Sequence, residues 1–364
     1  MYGGLVKNAR TVFARSYAGA RQGFLADAQA VGLAVETLPH PLRGPDGEAL
    51  ALDWLWMGPK DAANVLVLLS ATHGVEGFCG SACQRDALRQ LSADDLPKGV
   101  AVLMLHALNP YGFAWLRRVT EDGVDLNRNF VDFAGSLPEN PGYDQLADAL
   151  LTAPDDPEAE GRLQAYAEAY GQRALEEAVS GGQHRHPKGL FYGGREPTWS
   201  RLQVEGLIAR HKLAERQRVA VIDFHTGLGP YGYGEPICDL PPDGPGARTC
   251  RKWFGESVTL PALGTSCSSV KSGLSDMGWH RLLGDRLAFI ALEFGTFDMA
   301  RLLGALRADH ILHAQGPIDW SAPQTQRVKA ELKRFFFPDT QDWREMVLFR
   351  ARQVIGQALK GLGS

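Results

Sequence analysis

His73 and Glu76, spaced His-x-x-Glu in the segment THGVEGFCG, are the residues in this chain best suited to chemistry. That spacing sets an imidazole and a carboxylate within reach of one cation, on a turn or a first helical turn. Gly74 and Gly77 relax the backbone around them. His225, in VIDFHTG, is the natural third ligand. Two ligands from one loop and a third from a distant strand leave a fourth tetrahedral position for water. The competing readings are a helix-capping pair for His73 and Glu76, and a core histidine for His225. The position of each at the end of an apolar run favours ligands.

Further polar residues follow the same rule. Asn109 and Pro110 end one apolar run, with Arg118, Asp125, Asn127 and Arg128 shortly after. Asp223 lies two before His225, on the same sheet face if the strand is regular. Glu293 sits within AFIALEFGT, where a carboxylate is costly to bury without a task or a partner. Arg128 offers a planar fork to a carboxylate and Asn127 a neutral donor. The rival for Arg128 is a structural ion pair with Asp125 or Asp132. His106 is mid-run and belongs to packing or to support of the site. His184 and His186 fall in an irregular loop that reads as solvated, and Cys79 with Cys83 as buried packing.

The elements that must position these residues are legible in the apolar pattern. NVLVLLSA, GVAVLMLHAL, RVAVIDFHTG and RLAFIALEFGT are continuous apolar runs, the mark of strands buried on both faces. Helical segments between them imply a mostly parallel sheet, and sites in such sheets form at the carboxyl ends of strands. An earlier pair, LAVETLPHPL and ALALDWLWMG, is joined by RGPDGE, a turn signal that implies an antiparallel hairpin and makes the sheet mixed. The expected fold is therefore α/β, a three-layer α/β/α sandwich on a mixed, mostly parallel sheet. One domain over 1–364 is expected, with a helix at about 5–31, an insertion at about 131–217 and a helical tail at about 297–364. Within the insertion, PEAEGRLQAYAEAYGQRALEEAV reads as one helix, and a second begins near Thr198.

The ordered set His73-x-x-Glu76, Asn109-Pro110-Tyr111-Gly112-Phe113, Arg118, Asp125-Leu126-Asn127-Arg128-Asn129, His225 and Glu293 resembles the zinc carboxypeptidase family, the carboxypeptidase A-like metallopeptidases, in a bacterial-type branch. Parts of it are shared with the aspartoacylase and succinylglutamate desuccinylase deacylases. The likeness spans about residues 60–300. It implies one Zn2+ on His73, Glu76 and His225. It implies Asn127 and Arg128 as grip for the substrate's free carboxylate, and Arg118, with Arg117 as fallback, as the group polarising the scissile carbonyl. It implies Glu293 as general base. The family's mobile tyrosine has no counterpart in SCSSVKSGLSDMGWH, where Lys271 lies near the expected place and either binds an anion or is solvated. Tyr192, Tyr231 and Tyr233, in Gly-rich loops, are candidates to wall the pocket instead.

Bulk properties bound the partners. The 364 residues are 45% hydrophobic and 22% charged with net charge −4, so nothing suggests a surface for nucleic acid or anionic membranes. Five scattered cysteines and no visible signal segment point to the cytoplasm. The expected activity is hydrolysis of an amide next to a free carboxylate, in a peptide or an N-acyl amino acid. A non-catalytic zinc-binding relative is the rival class, and iron or cobalt suit the same ligands.

Overall fold

The computed structural model describes residues 2–364, with side chains from residue 7 onward. The strands are β1 (Val35–Arg43), β2 (Ala49–Met57), β3 (Asn64–Leu69), β4 (Val100–His106), β5 (Arg218–Tyr231), β6 (Gly234–Ile237) and β7 (Leu287–Gly295). They form one seven-stranded sheet in the order β1-β2-β4-β3-β5-β7-β6. The four apolar runs are the neighbours β4, β3, β5 and β7, all mutually parallel. Every residue of β4, and every residue of β3 after Asn64, is buried. Successive side chains point to opposite faces, so both faces of the sheet are covered, as an α/β/α sandwich requires. β1 and β2 form the expected antiparallel hairpin.

Three features depart from the sequence expectation. β6 is an antiparallel edge strand against β7. Its four residues, GEPI, contain a glycine and a proline and carry almost no strand signal. The opening helix expected at about 5–31 is two helices, Tyr2–Thr11 and Tyr17–Ala30. Ser16 accepts a hydrogen bond from Gly19 N and starts the second, while Val12 and Phe13 turn into the core. The helix expected through residues 157–179 is also two, Pro157–Tyr170 and Gln172–Ser180, because Gly171 takes φ +95°. The helix expected near Thr198 is Trp199–Arg210, with Thr198 as its N-cap.

The insertion packs on the main core only through its last part, with Val204, Leu207, Ile208 and Leu213. Its residues Tyr143, Leu146, Leu150, Leu163 and Val179 join Leu302, Leu306, Leu332 and Phe336 of the tail helices in a separate apolar cluster. Val75, between His73 and Glu76, belongs to this cluster. The loop of His73 and Glu76 is thus held by the insertion and tail on one side and by β3 on the other.

That loop is also pinned through its backbone. Gly74 N donates to Arg118 O at 3.1 Å and Val75 N to Arg117 O at 2.8 Å. A Cβ at Gly74 would collide with the backbone of Gly112 and Phe113. β3 and β4 leave the sheet through matching left-handed residues, Ala71 (φ +59°) and Ala107 (φ +60°), a conformation that costs a non-glycine residue energy and is held here by packing. Replacing Gly74 by alanine is expected to destabilise the fold by about 1–3 kcal/mol. Urea denaturation followed by circular dichroism measures this; an unchanged midpoint would show that the loop has room to move.

Candidate metal and substrate site

The sheet topology brings the polar strand ends together. His225 on β5 and Glu293 on β7 are register partners, and β3 leads directly into the loop of His73 and Glu76. His73, Glu76 and His225 converge as one buried group. His73 Nδ1 lies 2.9 Å from Glu76 Oε1 and 3.2 Å from His225 Nδ1, and His225 Nδ1 lies 3.2 Å from Glu76 Oε2. Tetrahedral ligands with bonds of about 2.0–2.1 Å stand about 3.3 Å apart, so the spacing matches one small cation held by three ligands.

Each imidazole is backed on its far nitrogen. His73 Nε2 lies 3.1 Å from Asp125 Oδ1. His225 Nε2 lies 3.0 Å from Asp223 Oδ2, close enough for an ion pair though off the line of a good hydrogen bond. Asp223 is fixed by Thr72 Oγ1, which donates to its carboxylate at 2.8 and 2.9 Å. A carboxylate behind a histidine holds the proton on the far nitrogen and turns the lone pair of the near one towards a metal. Arg118 Nη2 also approaches His73 Nε2, at 2.8 Å, and asks for the opposite tautomer. A cation on the Nδ1 side decides between the two in favour of Asp125.

Charge supports the same fit. Three carboxylates, Glu76, Asp125 and Asp223, face the single guanidinium of Arg118 around these imidazoles. The deficit is that of one divalent cation. Burial disfavours ionised Glu76, but His73 and His225 outweigh it and hold its pKa low. Burial likewise opposes protonation of His225, yet Asp223 and Glu76 raise its pKa well above the usual value. Without a metal the histidine takes a proton in its place.

All eight predicted residues line one cleft: His73, Glu76, Arg118, Asn127, Arg128, His225, Lys271 and Glu293. Arg118 Nε donates to Asp125 Oδ2 at 3.0 Å and its Nη1 to Glu76 Oε1 at 3.1 Å, beside the metal group. Arg117 points elsewhere and pairs with Asp309 at 2.9 Å, so the fallback is set aside. Asn127 Oδ1 accepts from Ser275 N at 2.7 Å, which orients the amide and leaves its NH2 without a partner among the described residues. Arg128 makes no ion pair among the described residues; it donates to the Ser180 carbonyl at 2.8 and 3.2 Å and to the Asn127 carbonyl at 2.6 Å. Asp125 is occupied by Arg118 and His73, and Asp132 by Ala134 N, so neither forms the structural pair that was the rival reading. Burial lowers the Arg128 pKa to about 10, so it remains a cation at neutral pH.

Glu293 Oε1 accepts from Leu228 N at 2.9 Å. Burial, and then the neighbouring Glu76, push its pKa up to about 7. Lys271 is half-buried. It donates to the Ser268 hydroxyl and to Ser269 O, and burial, with Arg128 nearby, lowers its pKa to about 8.

Other placements differ from expectation. Tyr192, Tyr231 and Tyr233 do not line the cleft; Phe191 does, with Arg118 and Arg128 stacked over its ring at 5.3 and 5.5 Å. His184 is buried rather than solvated, bonded to Gly194 O at 2.8 Å. His106 is packed as expected, stacked on Phe24 and 2.9 Å from Ser81 Oγ. Sequence reasoning missed Asp239, which lines the cleft just past β6, and the apolar wall from Gln172–Ser180 and Met299–Ala314. Asp239 follows a strand that was itself invisible, so no signal pointed to it. The helical period of RALEEAVS and MARLLGALR was readable, but not which face would meet a cleft.

These features define a carboxypeptidase-like α/β/α fold that carries a buried group of three residues able to hold a metal ion. The chain belongs to the family described as a protein of unknown function (DUF2817), which matches residues 13–350. Its fold is similar to that of carboxypeptidase A from Helicoverpa armigera, at 14% identity over 96% of this chain and 73% of that one, with a TM-score of 0.53. Looser likenesses include a succinylglutamate desuccinylase from Chromobacterium violaceum (14% identity, 90% and 76% of the two chains, TM-score 0.38). Another is a murein-tripeptide amidase from Escherichia coli O157 (17%, 79% and 94%, TM-score 0.35). No curated protein sequence matches this chain.

Chelator-stripped protein is expected to gain stability when a divalent metal is added, by about 4 kcal/mol at a thousandfold excess over Kd. Differential scanning calorimetry reads this as a higher Tm. His225→Ala should abolish the gain, and an equal gain in that variant would place the metal elsewhere.

Proposed function

We propose that this protein is a zinc-dependent amide hydrolase whose substrate carries a free carboxylate beside the scissile bond, in the manner of a metallocarboxypeptidase or an N-acyl-amino-acid deacylase. The observation that carries the reading is the joint presence, in one cleft, of the His73, Glu76 and His225 group with Glu293 and with Arg128 beside Asn127. Zinc suits two imidazole nitrogens and a carboxylate, and it supplies a Lewis acid that makes a water able to attack near neutral pH.

The chain's own residues do the rest. Glu293 accepts the proton of the attacking water and passes it to the leaving nitrogen, so that the amide C–N bond breaks to a carboxylate and an amine. Arg118 donates to the oxygen on which negative charge develops. Arg128, with N–H groups not used by the two carbonyls it holds, and the NH2 of Asn127 receive the substrate carboxylate. Lys271 adds a second cation on that side of the cleft. No helix among the described residues is long and apolar enough to cross a membrane, and we propose the cytoplasm as the place of action, with no membrane or nucleic-acid partner.

Glu293→Gln is expected to keep the metal and to lose activity by a factor of about 100 or more. Equal loss of metal, read by elemental analysis, would make Glu293 a ligand instead. A cation in the triad attracts ionised Glu293, which shifts its pKa downward from about 7. The ascending limb of the pH–kcat/KM profile should therefore have its midpoint below pH 7; a midpoint above it contradicts the base role. Arg128→Ala should raise KM for substrates with a free carboxylate more than for their amides. Equal effects on both would make Arg128 a purely structural residue.

A further inference from the structure

A second charged cluster lies outside the cleft. Asp309, on helix Met299–Ala314, accepts from Arg117 Nε at 2.9 Å on Oδ2 and from Lys329 Nζ at 2.5 Å on Oδ1. All three residues are buried, Arg117 at 5% exposure and Asp309 and Lys329 at 1%. Neither cation has another carboxylate within ion-pair distance among the described residues. Burial lowers the Lys329 pKa to about 8, so it is still a cation at neutral pH. Two buried cations thus share one buried anion, and one positive charge is left unmatched. The neighbouring histidines register the excess. Burial, and then Arg117, push His310 down to about 4 and His313 down to about 3.

This cluster opens on a cavity of about 230 Å3, lined in part by Tyr111, Arg117, Lys188, His310 and His313, that shares no lining residue with the metal cleft. A water molecule takes about 30 Å3 of liquid, so the cavity has room for a small ion and several waters. Arg117 spends only its Nε on Asp309; the N–H groups of its two Nη atoms have no partner among the described residues. The Tyr111 hydroxyl has none either, and Lys188 Nζ donates only to Ala314 O, at 3.3 Å. The acids at the rim do not meet the need. Leu42 N donates to His40 Nδ1 at 3.1 Å, so the ring proton sits on Nε2, which faces Glu121 Oε2 at 3.3 Å. Asp122 is exposed, where water and salt screen it.

We infer that this cavity is an anion site, which takes a small oxyanion (a phosphate or a carboxylate group) on the outer N–H groups of Arg117, with the Tyr111 hydroxyl and Lys188 as further donors. The two Nη atoms present parallel N–H groups to two oxygens of such a ligand, and its charge supplies what Asp309 alone cannot. The site does not depend on the amide-hydrolase reading. It adjoins the metal cleft through the chain: Arg118 follows Arg117, whose carbonyl accepts from Val75 N at 2.8 Å in the loop of His73 and Glu76.

The protein is titrated calorimetrically at low salt with inorganic phosphate and, separately, with acetate. Saturable binding at one ion per chain is expected. Arg117→Lys keeps a charge beside Asp309 but loses the fork, and Tyr111→Phe removes only a hydroxyl; each should weaken binding by about tenfold. His225→Ala and Arg128→Ala, which alter the metal cleft, should leave it unchanged. Saturation by phosphate alone makes the ligand a phosphoryl group, by acetate alone a carboxylate, and by both a small oxyanion of either kind; all three support the site when Tyr111→Phe weakens them. No saturable binding of either ion, or binding that Arg117→Lys and Tyr111→Phe leave unchanged, overturns the inference, as does binding lost in Arg128→Ala or His225→Ala, which would put the ion in the cleft.

Discussion

Glu76 sits between two imidazoles in a place that water hardly reaches, and much of the molecule is arranged around that fact. A buried carboxylate is unstable unless its charge is matched, and three ligand atoms about 3 Å apart repel one another when all present lone pairs. The surroundings act on both problems. Asp125 and Asp223 approach the far nitrogens of the two imidazoles, and Arg118 bridges Glu76 and Asp125. This arrangement leaves a deficit of positive charge at the point where the three ligand atoms meet. A divalent cation removes the deficit and the lone-pair repulsion together.

The same demand explains where the supporting residues come from. Asp125, Asn127 and Arg128 share a short turn whose first residue caps it, with Asp125 accepting from Asn127 N at 2.9 Å. One tight turn thus delivers a carboxylate to His73 and the side chains of Asn127 and Arg128 to the cleft. Arg117 and Arg118 show the opposite economy. Adjacent in the chain, they point to different sites: one pairs with Asp309 on a tail helix, the other reaches the metal group, and their carbonyls hold the loop that carries the ligands.

The insertion and the tail line the cleft without contributing to the group of His73, Glu76 and His225. Their apolar cluster packs on Val75, inside the ligand loop, and lines one end of the cleft. The loop of His73 and Glu76 is therefore held by the same apolar cluster that lines the cleft. A change in this cluster acts on loop position and on cleft shape at once.

The grouping of His73, Glu76 and His225, the carboxylate of Glu293 beside them and the four central strands were legible in the amino-acid sequence. Buried parallel strands must be continuously apolar, and a polar residue at the end of such a run stands out against it. The hairpin was legible because its turn residues are chemically distinctive. Other features had no local signal. The break at Gly171, the edge strand Gly234–Ile237 and the breaking of the first helix before Tyr17 depend on packing partners far away in the chain. Arg128 could be read equally as an ion-pair residue or a substrate-binding one, because its neighbours in sequence include two acids; only the fold shows both acids engaged elsewhere. The chemical identity of the site residues is written in side-chain type and spacing. Which helices line the cleft was decided by tertiary structure, because it depends on which faces of helices far apart in sequence come to lie over the ends of the strands.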